Sequence, residues 1–224
     1  MSLDLMPPSV PPSSAFSLAA EANHRIGNNL SLIAALVRMQ GSRICKNPRV
    51  MSGDEVRLIL EELGGRLDAV GRLHRRLADS HGASIEIADY LREIVEAVIS
   101  SLSFAGTTEL QFTCDPGCSV SPEQALSLGL ILGELATNAV KYAHPAGVAG
   151  KVRVDCHRHQ DETIVLEISD DGVGLPEGLD PMKSGHMGFH FVRSLADQLG
   201  ATIEFHSDCL GLRFLLLVPA ALTG

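Results

Sequence analysis

The spacing of apolar residues changes once along the chain, across Ser80-His81-Gly82-Ala83-Ser84, and this change restricts the available folds. Ahead of it the spacing is helical. Ile26, Leu30, Ile33 and Val37 follow one another at four, three and four residues, and Leu32, Leu36 and Met39 form a second row beside them. One helix with two apolar rows needs two neighbours. Asn47-Pro48 ends that helix over about Ser17 to Ile44, and Ser52 with Glu55 forms a capping-box signature for the next. Val56, Leu60, Leu63, Leu67, Val70 and Leu77 then keep heptad spacing, with His74 in the one missing place. Such a hairpin is half of a four-helix bundle, and a homodimer is expected to supply the other half.

Past the linker the pattern becomes mixed. Ile85 and Ile87 alternate like a short strand, and Leu91, Ile94, Val95, Val98 and Leu102 read as a helix. Short strands are expected at 108–113 and 118–120, around a turn at Asp115-Pro116-Gly117. Ser121, Pro122 and Gln124 supply N-cap, first-turn Pro and capping partner for a helix to about Ala143. Strands near 151–157 and 162–169, a helix near 187–199, and strands at 201–206 and 212–218 complete the chain. Strand runs with helices on one face describe an α+β sandwich. The expected domains are a flexible tail at 1–16, a helical hairpin at 17–80 and a second domain at 84–224.

Charge and composition remove other classes. A net charge of -9, with the 18 Lys and Arg scattered, leaves no footprint for nucleic acid. The longest apolar stretch, Phe214 to Ala221, is too short to cross a bilayer, and the Pro- and Ser-rich start lacks the pattern of a signal peptide. A cytoplasmic protein with no membrane partner is expected. The five cysteines, Cys45, Cys114, Cys118, Cys156 and Cys209, are odd in number and contain no CxxC pair. Buried reduced thiols are the simplest reading. Cys156, His157 and His159 invite a zinc hypothesis, but strand alternation separates them and no second ligand pair has zinc spacing.

Three constellations carry chemistry. In Ile168-Ser169-Asp170-Asp171-Gly172-Val173-Gly174-Leu175-Pro176 a strand delivers a carboxylate, and two glycines let the backbone turn close to a ligand. Pro176 and Glu177 fall where a dinucleotide fold needs its third glycine, which excludes that fold. Glu134, Asn138 and Lys141, at spacings of four and three, share one helix face. The carboxylate and amide oxygens suit Mg2+, and the ammonium can meet phosphate. Gly185-His186-Met187-Gly188 feeds a helix start, where free N–H groups make an anion site.

Glu134 to Pro145, the 170–174 loop, Gly185 to Gly188 and the closing Gly211 to Pro219 strand resemble the N, G1 and G2 boxes and terminal strand of the GHKL ATPases. Upstream, Glu21-Ala-Asn-His24-Arg25-Ile-Gly27-Asn28-Asn29-Leu30 resembles the H box of bacterial two-component histidine kinases of the His-Arg-x-Lys-Asn family. The close cousins called HWE kinases carry a His where this chain has Gly133, and a Trp, of which this chain has none. The resemblance covers about 17 to 219 with every box in order. It implies a dimeric four-helix bundle followed by a GHKL (Bergerat) α/β sandwich that binds ATP. It further implies that Asn138 and Glu134 serve Mg2+ and catalysis, that Lys141 meets phosphate, and that Asp170 receives the adenine amino group. Gly172, Gly174, Gly185 and Gly188 would shape the nucleotide lid.

The expected activity is autophosphorylation of His24 from ATP, followed by transfer to an aspartate on a response-regulator receiver domain. Neutral imidazole is a competent nucleophile near pH 7, and Glu21, one turn earlier, can hold the other ring nitrogen's proton. Asn28, one turn later on the same face, can orient a water against a docked phospho-aspartate; related kinases use a small amide or hydroxyl residue at this spacing for phosphatase activity. With only a short stretch before His24, any sensor is expected to be a separate protein, or regulation to come through the partner. Two positions depart from the family: Gly27 replaces a Lys, and Leu212 replaces a Thr. They keep open a phosphotransferase or phosphatase adaptor that relays phosphoryl groups without using ATP. An ATP-binding anti-sigma or protein-interaction module is the third class, and the His24 hairpin disfavours it.

Overall fold

The structure, a computed structural model, describes residues 84–102, 108–144, 148–159, 162–176, 178–181 and 187–219, with single positions at 34, 37, 41, 52, 53, 56, 57, 60 and 64. Seven strands and three helices are described, in the order β1 (Ile85–Glu86), α1 (Ala88–Leu102), β2 (Thr108–Cys114), β3 (Ser119–Val120), α2 (Pro122–Tyr142), β4 (Gly150–Arg158), β5 (Ile164–Asp170), α3 (Met187–Leu199), β6 (Thr202–Asp208) and β7 (Gly211–Val218). The elements predicted from Ile85 onward are all present, with ends within about two residues. On the N-terminal side, positions 34, 37 and 41 are helical. The Val56 amide donates to the Ser52 carbonyl at 3.1 Å, so a helix opens where the capping signature placed it. Glu55 and the rest of both seams lie outside the described residues.

The main sheet has the order β2-β4-β5-β7-β6, and β1 pairs with β3 in a separate two-stranded sheet. Only β2 and β4 run parallel. Parallel neighbours need a crossover, and α2 supplies it. On β4 the alternation is clean: Val152, Val154 and Cys156 are buried, whereas Lys151 and Arg153 are exposed. The buried face meets the helices. The outward face is polar, with Arg213 donating to both carboxylate oxygens of Glu167 at 2.7 and 2.6 Å.

Helix α2 is buried almost all round, from Ala125 to Thr137, because α1 and α3 pack on its sides and the sheet lies beneath. Its entry is the predicted capping box: the Gln124 amide donates to Ser121 Oγ at 3.2 Å, and the Ser121 amide to Gln124 Oε1 at 3.1 Å. At Gly133 an added Cβ would lie 3.5 Å from Cγ2 of Ile94, so a larger side chain there would press on α1. Phe214, on the inner face of β7, stacks between Phe189 of α3 and Phe205 of β6. These contacts fix the start of α3 and the β6–β7 hairpin relative to α2, and the site lies between those elements.

Candidate functional site

Glu134, Asn138 and Lys141 lie along α2 as their spacing predicts. Glu134 is only 1% exposed, whereas Asn138 and Lys141 are half-buried. The reason for the burial of Glu134 is Gly188, in the first turn of α3. A Cβ at Gly188 would collide with Oε1 of Glu134, so only glycine admits the carboxylate this close to the helix start. The positive end of the α3 dipole favours a carboxylate there. Thus α2 and α3 meet through a charged group that the Gly185–Gly188 motif was expected to reserve for phosphate.

Asp170 ends β5, and its Oδ1 is already engaged. The Gly172 amide donates to it at 3.0 Å and the Leu212 amide at 3.3 Å. Burial pushes the Asp170 carboxyl above its ordinary value, and these two N–H groups only partly oppose that. Both glycines of the following loop are in tight quarters. Gly172 lies against the Ala143 carbonyl. Gly174, at φ 66°, faces the Asp208 carbonyl and has no room for a side chain. The Leu175 amide donates to Ser207 Oγ at 2.7 Å, which docks the loop on the β6–β7 hairpin.

A third group ties the loop to the end of α2. The Val173 amide donates to the Ala143 carbonyl at 2.9 Å. Asp171 Oδ1 sits 2.7 Å from His144 Nε2 and accepts the Lys151 amide at 2.7 Å. Burial raises the Asp171 carboxyl, but the Lys151 amide and His144 outweigh it and hold the group below its ordinary value. His144 therefore positions the loop, a role the sequence did not announce.

The structure brings Glu134 together with Gly188, and Asp170 together with Gly172. Gly174 sits in the same loop. Glu21, His24, Asn28 and Gly185 lie outside the described residues. Leu212 fills the place expected of a Thr hydroxyl, but its contribution is a backbone amide that any residue could donate. The cysteine reading needs correction in two respects. Cys209 is exposed and not buried. Cys114, Cys118 and Cys156 converge, with their three sulfurs within 4.8 Å of one another; the signal overlooked was the Cys114-x3-Cys118 pair, whose spacing suits a shared ligand. The neighbouring Cys114 sulfur and burial push the Cys156 thiol up, and the same neighbour effect holds Cys114 down. His157, in contrast, falls on the other face of β4 from Cys156, as alternation requires.

Comparison with known proteins gives consistent matches. A family profile described as histidine kinase matches residues 21–102, and one described as histidine kinase-, DNA gyrase B-, and HSP90-like ATPase matches residues 123–222. Blue-light-activated histidine kinase 2 of Erythrobacter litoralis is 28% identical over 191 residues, which is 83% of this chain and 52% of that protein. Sensor histidine kinase PdtaS of Mycobacterium tuberculosis is 29% identical over 176 residues, 78% of this chain and 33% of that protein. The chain thus spans between a third and about half of the length of these relatives. A solved blue-light activated histidine kinase of Erythrobacter litoralis shares the fold, with TM-score 0.70 and 24% identity over 97% of this chain and 64% of that one. Its histidine kinase domain alone gives TM-score 0.65 and 23% identity, over 85% and 95% of the two chains. Among the described residues no helix is long and apolar enough to cross a membrane. With a histidine kinase segment followed by an ATPase segment of this fold, the chain belongs to the histidine kinases whose ATP-binding half is of the GHKL type.

Proposed function

We propose that the chain binds ATP with Mg2+ in its C-terminal half, phosphorylates His24, and passes the phosphoryl group to an aspartate on a response-regulator receiver. In the first step a His24 ring nitrogen attacks the γ-phosphorus, the bond to the bridging oxygen breaks, and ADP leaves. Glu21 takes the proton on the other ring nitrogen into a hydrogen bond. Such transfer depends on positioning and charge neutralisation. The observation that carries the reading is the arrangement around Asp170. Two backbone amides hold Oδ1, which leaves Oδ2 to accept the amino group of adenine in a half-buried, water-poor setting. Gly172 and Gly174 let the loop press against the Ala143 and Asp208 carbonyls, where a side chain has no room.

Hard oxygen donors on one face of α2 fit Mg2+, and Mg2+ when bound would neutralise phosphate charge. Half-buried Asn138 is the more accessible ligand, and Glu134 stands one turn behind it under Gly188. Lys141 completes the row as a phosphate contact. The homodimer is supported by apolar side chains on the N-terminal helices: Val37, Val56 and Leu60 are 48%, 39% and 59% exposed in the single chain. A four-helix bundle of two hairpins would cover them. The ATP-independent relay is the second reading, supported by Gly27 and by the missing hydroxyl at Leu212.

The test is incubation of purified protein with γ-labelled ATP and Mg2+, followed by chemical typing of the label. Acid-labile, base-stable label that disappears in His24→Ala is the expected result. Label that persists in that variant would remove the proposal. No label from ATP, together with labelling by a phosphorylated partner, would establish the relay in its place.

A further inference from the structure

Cys114, Cys118 and Cys156 converge at the end of the sheet away from Asp170. Asp170 pairs with Val152 and Leu166 with Cys156, so the thiols lie four residues further along β4, about 13 Å from the nucleotide end. Three separate constraints assemble them. Parallel pairing sets Cys114 of β2 beside Cys156 of β4. The Asp115 amide donates to the Cys156 carbonyl at 2.8 Å and pins the turn that follows β2. That turn then returns Cys118, fully buried, into the same group.

We propose that these three cysteines form a binding site for one thiophilic divalent metal ion, of which zinc is the expected occupant. Thiolate donors select such ions over the hard cations that suit Asn138. Tetrahedral Zn–S bonds of about 2.3 Å set sulfurs about 3.8 Å apart. The present limit of 4.8 Å is therefore within about 1 Å of closure, which side-chain rotation supplies. The carboxylates of Asp115 and Glu86 act on Cys114 through charge, and both add negative potential that a dication would offset. Cys118 and Cys156 are buried and Cys114 is half-buried, so the fourth position opens on the Cys114 side, to water or an incoming ligand.

Occupancy would reach beyond the cluster. The Cys118 carbonyl accepts the Ile87 amide at 3.0 Å, and Ile87 immediately precedes α1. A bound ion would thus brace the point at which the chain enters the ATP-binding half, and stability should rise on binding by mass action.

The test uses the full chain, reduced and stripped with a chelator, and titrated with Co2+ as a spectroscopic probe and with Zn2+ as competitor. One equivalent of Co2+ should give thiolate-to-metal charge-transfer absorption that Zn2+ displaces, and Zn2+ should raise the melting temperature. Cys114→Ser, at the half-exposed and more tolerant position, should lose the absorption, as should Cys156→Ser, while Cys209→Ser keeps it. Absence of the absorption, its loss in Cys209→Ser or Cys45→Ser alone, or its retention in Cys114→Ser would overturn the site. Peptide mapping that finds Cys114 joined to Cys156 by a disulfide after purification with Zn2+ and without oxidant would also overturn it.

Discussion

The carboxylate of Glu134 packs against Gly188 at the start of α3, in space that a single methyl group would fill. Gly188→Ala therefore sets two effects against each other. Alanine gains up to about 1 kcal/mol of helix propensity, less in a first turn. The forced contact costs about 1–3 kcal/mol when the neighbour cannot retreat, and a carboxylate held at 1% exposure has little room to do so. The collision should dominate and move the carboxylate. Phosphorylation of His24 should fall about 100-fold, the usual loss for a displacement near 1 Å, and the melting temperature should fall by only a few degrees. A turnover assay beside a thermal melt separates the two, and an unimpaired rate would show that Glu134 is not used.

Asp170 predicts a conflict between binding and stability. Its carboxyl is pushed above the ordinary value of 3.8, chiefly by burial. Between 3.8 and the raised value the folded chain holds more protons than the unfolded one, so stability falls as pH rises through that window. At neutral pH the charged group is a net cost. Asp170→Asn removes the charge and retains an oxygen for the Gly172 and Leu212 amides. The variant should melt at the same or a higher temperature near pH 7, with the difference vanishing as pH falls to 3.8. ATP affinity should drop by about 1–3 kcal/mol, roughly 5- to 150-fold, because the amide can turn a donor toward the adenine amino group. Equal ATP affinity by calorimetry would remove Asp170 from the site.

His144 and Asp171 give a pH effect of opposite sign. The depressed carboxyl contributes stability above its ordinary 3.8, and this is lost as pH falls through the lower folded value. Since the Asp171 side chain is 48% exposed, solvent screening keeps the effect on global stability small. The useful readout is local. In His144→Ala the Asp171 carboxyl should titrate closer to 3.8 by NMR, and ATP should bind more weakly because the 171–174 loop loses a tether. An unchanged titration would show that the Lys151 amide alone sets the value.

Local chemistry made much of this legible in advance. The Ser121–Gln124 box, Pro122 and the row of Glu134, Asn138 and Lys141 each depend on residues within two turns. What escaped was non-local. His144 and Asp171 lie 27 residues apart, and Asp170 and Leu212 lie 42 apart. The latter bond is made by a main-chain N–H, which no choice of side chain signals. At Leu212 the side chain drew notice as a missing hydroxyl while the amide did the binding. The cysteine trio depends on the parallel register of β2 and β4, and apolar periodicity cannot give the register of two strands separated by a helix.

Leu60 tests the dimer without disturbing the monomer. It lies in the heptad row and is 59% exposed in the single chain, so a charge there costs the isolated hairpin little. In a bundle the same charge would be buried and unpaired. Leu60→Glu should leave the circular dichroism unchanged while light scattering shifts from dimer to monomer. A wild-type chain that is already monomeric at micromolar concentration would contradict the bundle.

Asn28 follows His24 by four residues, a spacing that on a helix would set both on one face. Both residues lie outside the described part of the chain, so the prediction rests on spacing and on amide chemistry. A phospho-aspartate docked for transfer at His24 presents its phosphorus to whatever lies one turn away. An amide there can accept one hydrogen bond from a water and orient it for in-line attack, while its N–H2 donates to a phosphoryl oxygen. Gly27, between the two, lacks the positive charge that the family pattern places beside the transferring phosphate, a change expected to weaken the forward reaction relative to dephosphorylation. Asn28→Ala should slow decay of the phosphorylated regulator about 100-fold, the usual loss of one positioned donor, and leave ATP labelling of His24 largely intact. Asn28→Asp sharpens the test, because it keeps the size and solvation of the side chain but replaces the donor with a charge that repels phosphate. If Asn28 only solvates the helix, the aspartate variant will behave as wild type and the regulator will decay at the same rate with all three proteins.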